Sequence, residues 1–201
     1  MKSRKKKRFP HKIKCRNDLE VEIRPLRTKD IPLCHKLNLA LDPTDRTLLR
    51  EDILSPFYDQ RVKRQIEDEF ITRLTAWHND EIVASLVMHR KRARWLQHTC
   101  EIRAICHPDF RRFGITVALM EEALPFAKEQ GIEKFYISLL PAQKGAIKLV
   151  KNTGFRREAT FKDHVKDEYG TYHDVRIYSM DMEAANKAMD QLFSEMTGYS
   201  G

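Results

Sequence analysis

Ile105-Cys-His-Pro-Asp-Phe-Arg-Arg-Phe-Gly-Ile-Thr116 is the stretch on which the fold turns. An alternating strand ends at Cys106, Pro108 stops its pairing, and Arg111-x-x-Gly114 leads directly into a helical pattern. The N–H groups of a helix's first turn have no internal partner, and the helix dipole adds about half a positive charge there. Together they form a site for a phosphate or pyrophosphate. Gly114 lets the backbone approach such a ligand, and Arg111 and Arg112 add charge. An Arg-x-x-Gly before a helix is also common by chance, so its surroundings have to carry the reading.

Downstream, Ile115, Leu119, Met120, Ala123, Phe126 and Ala127 recur at helical spacing up to Gln130, and Gly131 suits the residue after the helix. Pro125 lies inside this pattern at the expense of one backbone hydrogen bond. Lys134 to Leu140 reads as a buried strand, Gln143 to Asn152 as a short helix closed by Gly154, and 155–165 and 172–182 as a hairpin turning at Gly170. Residues 183–197 read as a terminal helix. Upstream, 70–78, 81–90 and 94–106 are strand-like, with Asn79-Asp80 as a turn and Ile82–Met88 apolar on both faces as in a central strand. Leu19 to Arg24 alternates as a strand, Thr28 is the expected N-cap of the following helix, and 41–69 is mainly helical and polar. The order is β-α-α-β-β-β-α-β-α-β-β. It predicts an α/β fold whose mixed sheet has an antiparallel meander and one parallel crossover across 94–140.

The chain has 201 residues, 41% hydrophobic and 33% charged, which suits one soluble domain with short ends. No apolar run approaches the roughly 18 residues of a membrane-spanning helix. The net charge of +8 is concentrated at the start: residues 1–16 hold nine bases and no acid, while residues 17–201 have a net charge of −1. The folded body therefore lacks the overall positive excess of a nucleic-acid-binding domain, which leaves only a local patch open. Residues 1–18 read as a disordered basic tail, 19–182 as the domain and 183–201 as a helix or tail. Cys15, Cys34, Cys100 and Cys106 form no Cys-x-x-Cys pair, which points to a reducing, cytoplasmic setting and to no metal site.

The 105–116 stretch resembles the acyl-CoA-binding motif of the Gcn5-related N-acetyltransferases (GNAT family), Gln/Arg-x-x-Gly-x-Gly/Ala. Here it reads Arg111-Arg112-Phe113-Gly114-Ile115-Thr116, with Thr116 replacing the final small residue. His107-Pro108-Asp109-Phe110 resembles the family's preceding turn. Gln143 to Phe155, with Ala146 and the closing Gly154-Phe155, is similar to its second CoA-side helix. The resemblance covers about residues 19–182.

It implies a GNAT-type acyl-CoA N-acyltransferase fold, a mixed, mostly antiparallel sheet flanked by helices. It implies an enzyme moving an acetyl group from acetyl-CoA to a primary amine of a small molecule or protein, by direct attack of the neutral amine on the thioester. The cofactor residues implied are Ile105, Cys106, Arg111, Arg112, Phe113, Gly114, Ile115, Thr116, Gln143 and Ala146, with a backbone N–H of Ile105 or Cys106 polarising the thioester oxygen. Val150 takes the place where many members have a proton-donating Tyr. Tyr136, Tyr169, Tyr172 and Tyr178 are the candidates available for that role.

Neutralising a lysine of pKa about 10.4 at pH 7 costs roughly 4.6 kcal/mol, against about 1.4 kcal/mol for an α-amine near pKa 8. A general base therefore matters most for lysine acceptors, and Glu101, on the strand before the motif, is the expected base. His164, His173 and Asp174 of the last hairpin are the acceptor-side candidates, and His107 is expected to be structural. Two other readings stand beside this one. One is a nucleic-acid- or ribosome-associated protein that holds RNA or another polyanion through residues 1–16. The other is an acyl-CoA sensor without catalysis, which Val150 and Thr116 favour. The acceptor is not legible, and a homodimer stays open.

Overall fold

The computed structural model describes residues 9–167 and 169–197. Alternating apolar and polar residues give eight strands: β1 His11–Lys14, β2 Glu20–Pro25, β3 Ile71–His78, β4 Glu81–Arg90, β5 Thr99–Cys106, β6 Lys134–Leu139, β7 Arg156–Lys166 and β8 Tyr172–Asp181. They form one sheet in the order β1-β2-β3-β4-β5-β6-β8-β7. Every pairing is antiparallel except β5 with β6. The helices are α1 Ile31–Leu39, α2 Pro43–Thr47, α3 Tyr58–Glu67, α4 Ile115–Glu129, α5 Lys144–Asn152 and α6 Met182–Thr197.

The two faces of the sheet carry separate cores. On one, Ile23, Leu74, Leu86, Phe135 and Tyr178 pack under Leu119, Ala123 and Ala127 of α4. On the other, Trp77 and Ile82 pack under Cys34 and Leu37 of α1 and Tyr58 and Val62 of α3. β4 supplies side chains to both cores, so Ile82–Met88 is buried throughout, as its unbroken apolar run predicts. Asn79 (φ 48) and Asp80 (φ 63) both adopt left-handed backbone between β3 and β4. This two-residue turn matches the twist of the strands it joins, and Asn and Asp tolerate it without glycine.

Three readings change. First, residues 9–18 are folded and do not form part of a disordered tail. β1 pairs antiparallel with β2 at the sheet edge, Ile13 and Cys15 are buried, and the Phe9 ring stacks on Phe126 of α4 with centroids 5.5 Å apart. His11 Nδ1 lies 3.1 Å from Glu122 Oε1 on the same helix. Lys12 and Lys14 lie in β1, paired with Glu20 and Asp18. Lysines at alternate positions of an edge strand keep it from pairing with another chain, and here they hid a strand inside a basic run. Residues 1–8, the rest of the expected tail, lie outside the described residues, as do 198–201.

Second, Thr28 opens a 3-10 turn, Thr28–Asp30, and is not an N-cap. The capping group is Asp30, which accepts the Arg27 N–H at 3.0 Å and pairs with Arg24 at 2.7 Å. Third, the strand expected from residue 94 begins at Thr99, after a 3-10 turn at Arg94–Leu96.

Candidate functional site

β5 and β6 pair over three rungs only: Thr99 with Lys134, Cys100 with Phe135 and Glu101 with Tyr136. Beyond that point each strand continues with its other neighbour, β5 with β4 to Cys106 and β6 with β8 to Leu139. The sheet therefore opens into a cleft between residues 102–106 and 137–139.

The phase of the ladders decides which main-chain groups face this cleft. Hydrogen-bonded pairs alternate along an antiparallel ladder. The His107 N–H donates to the Val83 carbonyl at 2.8 Å. In step with it, Ile105, Arg103 and Glu101 spend their main-chain groups on β4, while Cys106 and Ala104 direct theirs into the opening. On the other wall, Met182 N–H donates to Glu133 O at 2.7 Å, which by the same alternation turns Ser138 toward the opening. Of the two amides expected for the thioester oxygen, the Ile105 N–H is committed to β4 and the Cys106 N–H is directed into the cleft.

The motif loop closes the wide end of the cleft. Arg112 (φ 70) and Gly114 (φ 86) are both left-handed, and α4 starts at Ile115. Left-handed backbone costs an arginine about 1–2 kcal/mol, a strain characteristic of functional loops. Gly114 carries it freely. The first-turn N–H groups from Gly114 to Val117 have no acceptor within the helix. These groups, with Arg111 and Arg112, could hold a pyrophosphate. The loop is tied down on two sides. Phe113 O accepts the Arg16 N–H at 3.0 Å, and the Arg111 guanidinium is paired with the Asp45 carboxylate of α2. His107 caps the Pro108–Phe110 turn, accepting the Asp109 N–H at 3.3 Å, a structural role as expected. Burial pushes the Cys106 thiol up to about 11, so it stays protonated and unreactive.

On the α5 side, Gln143 Oε1 accepts the Leu140 N–H at 2.8 Å and holds the turn after β6, leaving its amide NH₂ to donate. Ala146 packs partly buried against the α4-side core. Val150 is buried in that core and does not face the cleft, so the position compared with the family's tyrosine is an apolar packing site. Of the four candidate phenols, Tyr178 is buried in the same core and Tyr169 and Tyr172 are exposed. Tyr136 sits on the last rung, directly opposite Glu101.

Glu101, expected as the base, is almost wholly buried at the vertex of the cleft, 2% exposed. Its oxygens lie 2.9 Å from Arg50 Nη1, 3.0 Å from Arg103 Nη2, 3.8 Å from Lys91 Nζ and 3.5 Å from Ser138 Oγ of the opposite wall. Burial alone would raise its pKa, but Arg103, Arg50 and Lys91 outweigh burial and hold the carboxyl below its usual range. That lowers its basicity and bears on its expected use as a resting place for the amine's proton. Passing a proton from an α-amine near pKa 8 to a carboxylate near 4.3 costs about 5 kcal/mol, against about 1.4 kcal/mol for release to water at pH 7. Glu101 is also the point at which Arg50, Lys91 and Arg103 converge. Arg103 also reaches Glu51 at 2.6 Å, and Glu51 lies 3.7 Å from Arg61. None of these cations was legible as a site residue. Arg50 and Glu101 are 51 positions apart, and a lone Arg in a polar helical stretch gives no signal.

Two of the three hairpin candidates bond within the hairpin. His173 Nε2 lies 2.7 Å from Asp167 Oδ2, and Asp167 also accepts the N–H groups of Tyr169 and Thr171. Asp174 accepts from Lys162 at 2.7 Å and from the Asp163 N–H at 3.2 Å, bracing the irregularity between Phe161 and Val165. Both residues thus hold the hairpin's shape. His164 is exposed, its ring 5.0 Å from that of Phe161. Among the described residues no helix is long and apolar enough to cross a membrane.

A search of curated protein sequences gave no match. Solved structures do match. The smu.2055 protein of Streptococcus mutans UA159 is 25% identical, with a TM-score of 0.68 over 80% of this chain and 98% of that one. The GNAT domain of S. lividans PAT is 20% identical, with a TM-score of 0.71 over 85% of this chain and 96% of that one. RimL, described as a ribosomal L7/L12 alpha-N-protein acetyltransferase in complex with coenzyme A, is 18% identical, with a TM-score of 0.69 over 82% and 95%. The sequence model of the acetyltransferase (GNAT) family matches residues 40–155, from the helical stretch before β3 through the motif loop to Phe155. With this match over more than half its length, and with the split sheet and glycine-started helix that accompany it, the chain belongs to the GNAT acetyltransferase family.

Proposed function

We propose that this protein transfers an acetyl group from acetyl-CoA to a primary amine by direct attack of the neutral amine on the thioester. The observation that carries this reading is the cleft opened where β5 and β6 part, with the Cys106 amide at its wall and the left-handed Gly114 starting α4 at its wide end. The pyrophosphate is held by the main-chain N–H groups of residues 114–117, with Arg111 and Arg112. Arg111 exchanges Asp45 for the phosphate. The pantetheine amides run between Ala104 and Cys106 on one side and Ser138 on the other, and Gln143 and Ala146 flank that chain. The thioester oxygen meets the Cys106 N–H, a donor already oriented before charge develops on that oxygen.

The amine approaches from the α1–α3 face, where Glu101 and Arg103 lie, and loses its proton to solvent. Glu101 acts as a positioning residue that fixes Arg50 and Arg103. Tyr136, on the rung with Glu101, is the phenol offered to the leaving thiolate. The four cysteines, all free and three of them buried, fit a reducing cytoplasm.

Release of free CoA from acetyl-CoA, measured with a panel of amines and amino-terminal peptides, tests the reading. Turnover by any primary amine above the hydrolysis background supports it. Tight acetyl-CoA binding with no turnover across the panel would make the protein a sensor instead.

A further inference from the structure

The cluster around Glu101 is built from more cations than anions, and this bears on the acceptor. Arg50, Arg61, Lys91 and Arg103 are linked through Glu51 and Glu101. That is four positive charges against two negative. One positive charge remains in excess even when Asp52 is counted, whose carboxylate accepts the Leu54 N–H at 3.0 Å. Arg50 spends one nitrogen on Glu101 while its side chain stays 64% exposed, so the rest of its donor fork is open. Arg103 uses Nη1 and Nη2 on the two carboxylates, and its Nε is buried without a hydrogen-bond partner. The cluster sits at the vertex of the cleft, on the face away from α4. Glu101 is the group that a cationic amine would seek there, and its charge is already taken.

We propose that the acceptor carries a carboxylate within a few bonds of its reactive amine, and that Arg50, with Lys91 beside it, binds that carboxylate. This rests on the acetyl-transfer reading above and names its substrate class. A guanidinium fork matches a carboxylate in a bidentate pair, and the excess charge of the cluster is what such a group neutralises. A polyamine, or a lysine within a basic sequence, would bring further positive charge to a site that already has an excess. The shared chemistry occurs in a free amino acid and in a protein amino terminus followed by acidic residues.

The experiment compares kcat/KM for free CoA release by the full chain within matched pairs: ornithine against putrescine, lysine against cadaverine, and peptides beginning Ser-Glu-Glu against Ser-Lys-Lys. The carboxylate-bearing member should lead by at least tenfold in the amino-acid pairs or in the peptide pair, and the pair that responds identifies the source. Arg50→Glu should abolish or reverse that preference. Lys91→Glu, at a second position, should weaken it and serves if the first variant does not fold. Calorimetry of N-acetylglutamate against N-acetylputrescine on the CoA-loaded protein gives a readout that needs no turnover. Tighter binding of N-acetylglutamate without turnover of any acceptor would sink the acetyl-transfer reading and leave the carboxylate site standing. Equal or better use of the cationic members, a preference unmoved by both charge reversals, or no selective binding at all would overturn the inference.

Discussion

The Arg16 N–H donates to the carbonyl of Phe113 at 3.0 Å, joining the turn after the first strand to the loop that starts α4. The amino-terminal segment is therefore part of the scaffold of the site. Its buried anchor is Ile13, 5% exposed in the α4-side core. Ile13→Ala should cost about 2–4 kcal/mol of unfolding free energy, read by urea denaturation. Acetyl-CoA affinity should fall with it as the Phe113 loop loosens. A variant as stable as wild type would show that β1 contributes nothing to the core.

Gly114 has φ 86 at the start of α4, where a Cβ is strained and an added carboxylate would face the expected phosphates. Gly114→Asp should weaken acetyl-CoA binding at least tenfold by calorimetry while the circular dichroism spectrum is retained. Unchanged affinity in the folded variant would remove the pyrophosphate from this loop.

Arg111 is paired with Asp45, and both side chains are well exposed. Exposed pairs contribute about 0–1 kcal/mol. Asp45→Ala should therefore raise acetyl-CoA affinity by up to about fivefold at low salt, and the gain should shrink at high salt. A loss of affinity would mean that Asp45 positions Arg111 and does not compete for it.

As a positioning residue, Glu101 should affect the acceptor more than the proton. Glu101→Gln should raise KM for the acceptor several-fold. It should leave unchanged the rise of kcat/KM with pH, which follows the acceptor's own ammonium. A variant that loses kcat alone, with the pH profile flattened, would restore Glu101 as the base.

His89, opposite Glu101 in the β4–β5 ladder, is pushed down to about 4 by burial and then by Arg103. An unfolded histidine titrates near 6.5, so between about 6.5 and 4 the unfolded chain binds the extra proton. Stability should fall as pH drops through that window. Glu101, with its lowered pKa, adds a further loss only below the ordinary carboxylate range. His89→Asn should flatten the upper part of the Tm–pH curve and leave the lower part in place. Identical curves for both proteins would show that His89 takes up its proton as readily in the fold as in the unfolded chain.

Much of this was legible because it is local. The alternation of β3 and β4, the Asn79-Asp80 turn and the run from Pro108 through Gly114 into α4 are each written within a dozen residues. The Lys12-Ile13-Lys14-Cys15 alternation was equally local, but its lysines matched the composition of a solvated tail and hid the period of two. The partners of Glu101 were illegible for a different reason. Arg50 and Lys91 reach it from distant parts of the chain, and only the assembled fold brings these cations to the carboxylate.

The short seam between β5 and β6 has a mechanical consequence. Two plates, β1–β5 and β6–β8, are joined in the sheet by three rungs, and past them the main-chain groups of Ala104, Cys106 and Ser138 have no strand opposite. Main-chain groups shut away from solvent need partners, so whatever fills the gap must supply hydrogen bonds to them. The occupant that fits is a slender chain bearing amides, which completes the sheet as a surrogate strand and splints the two plates together. Amide protons along β6 and β8 should then exchange more slowly when the gap is filled, even where they never touch the occupant.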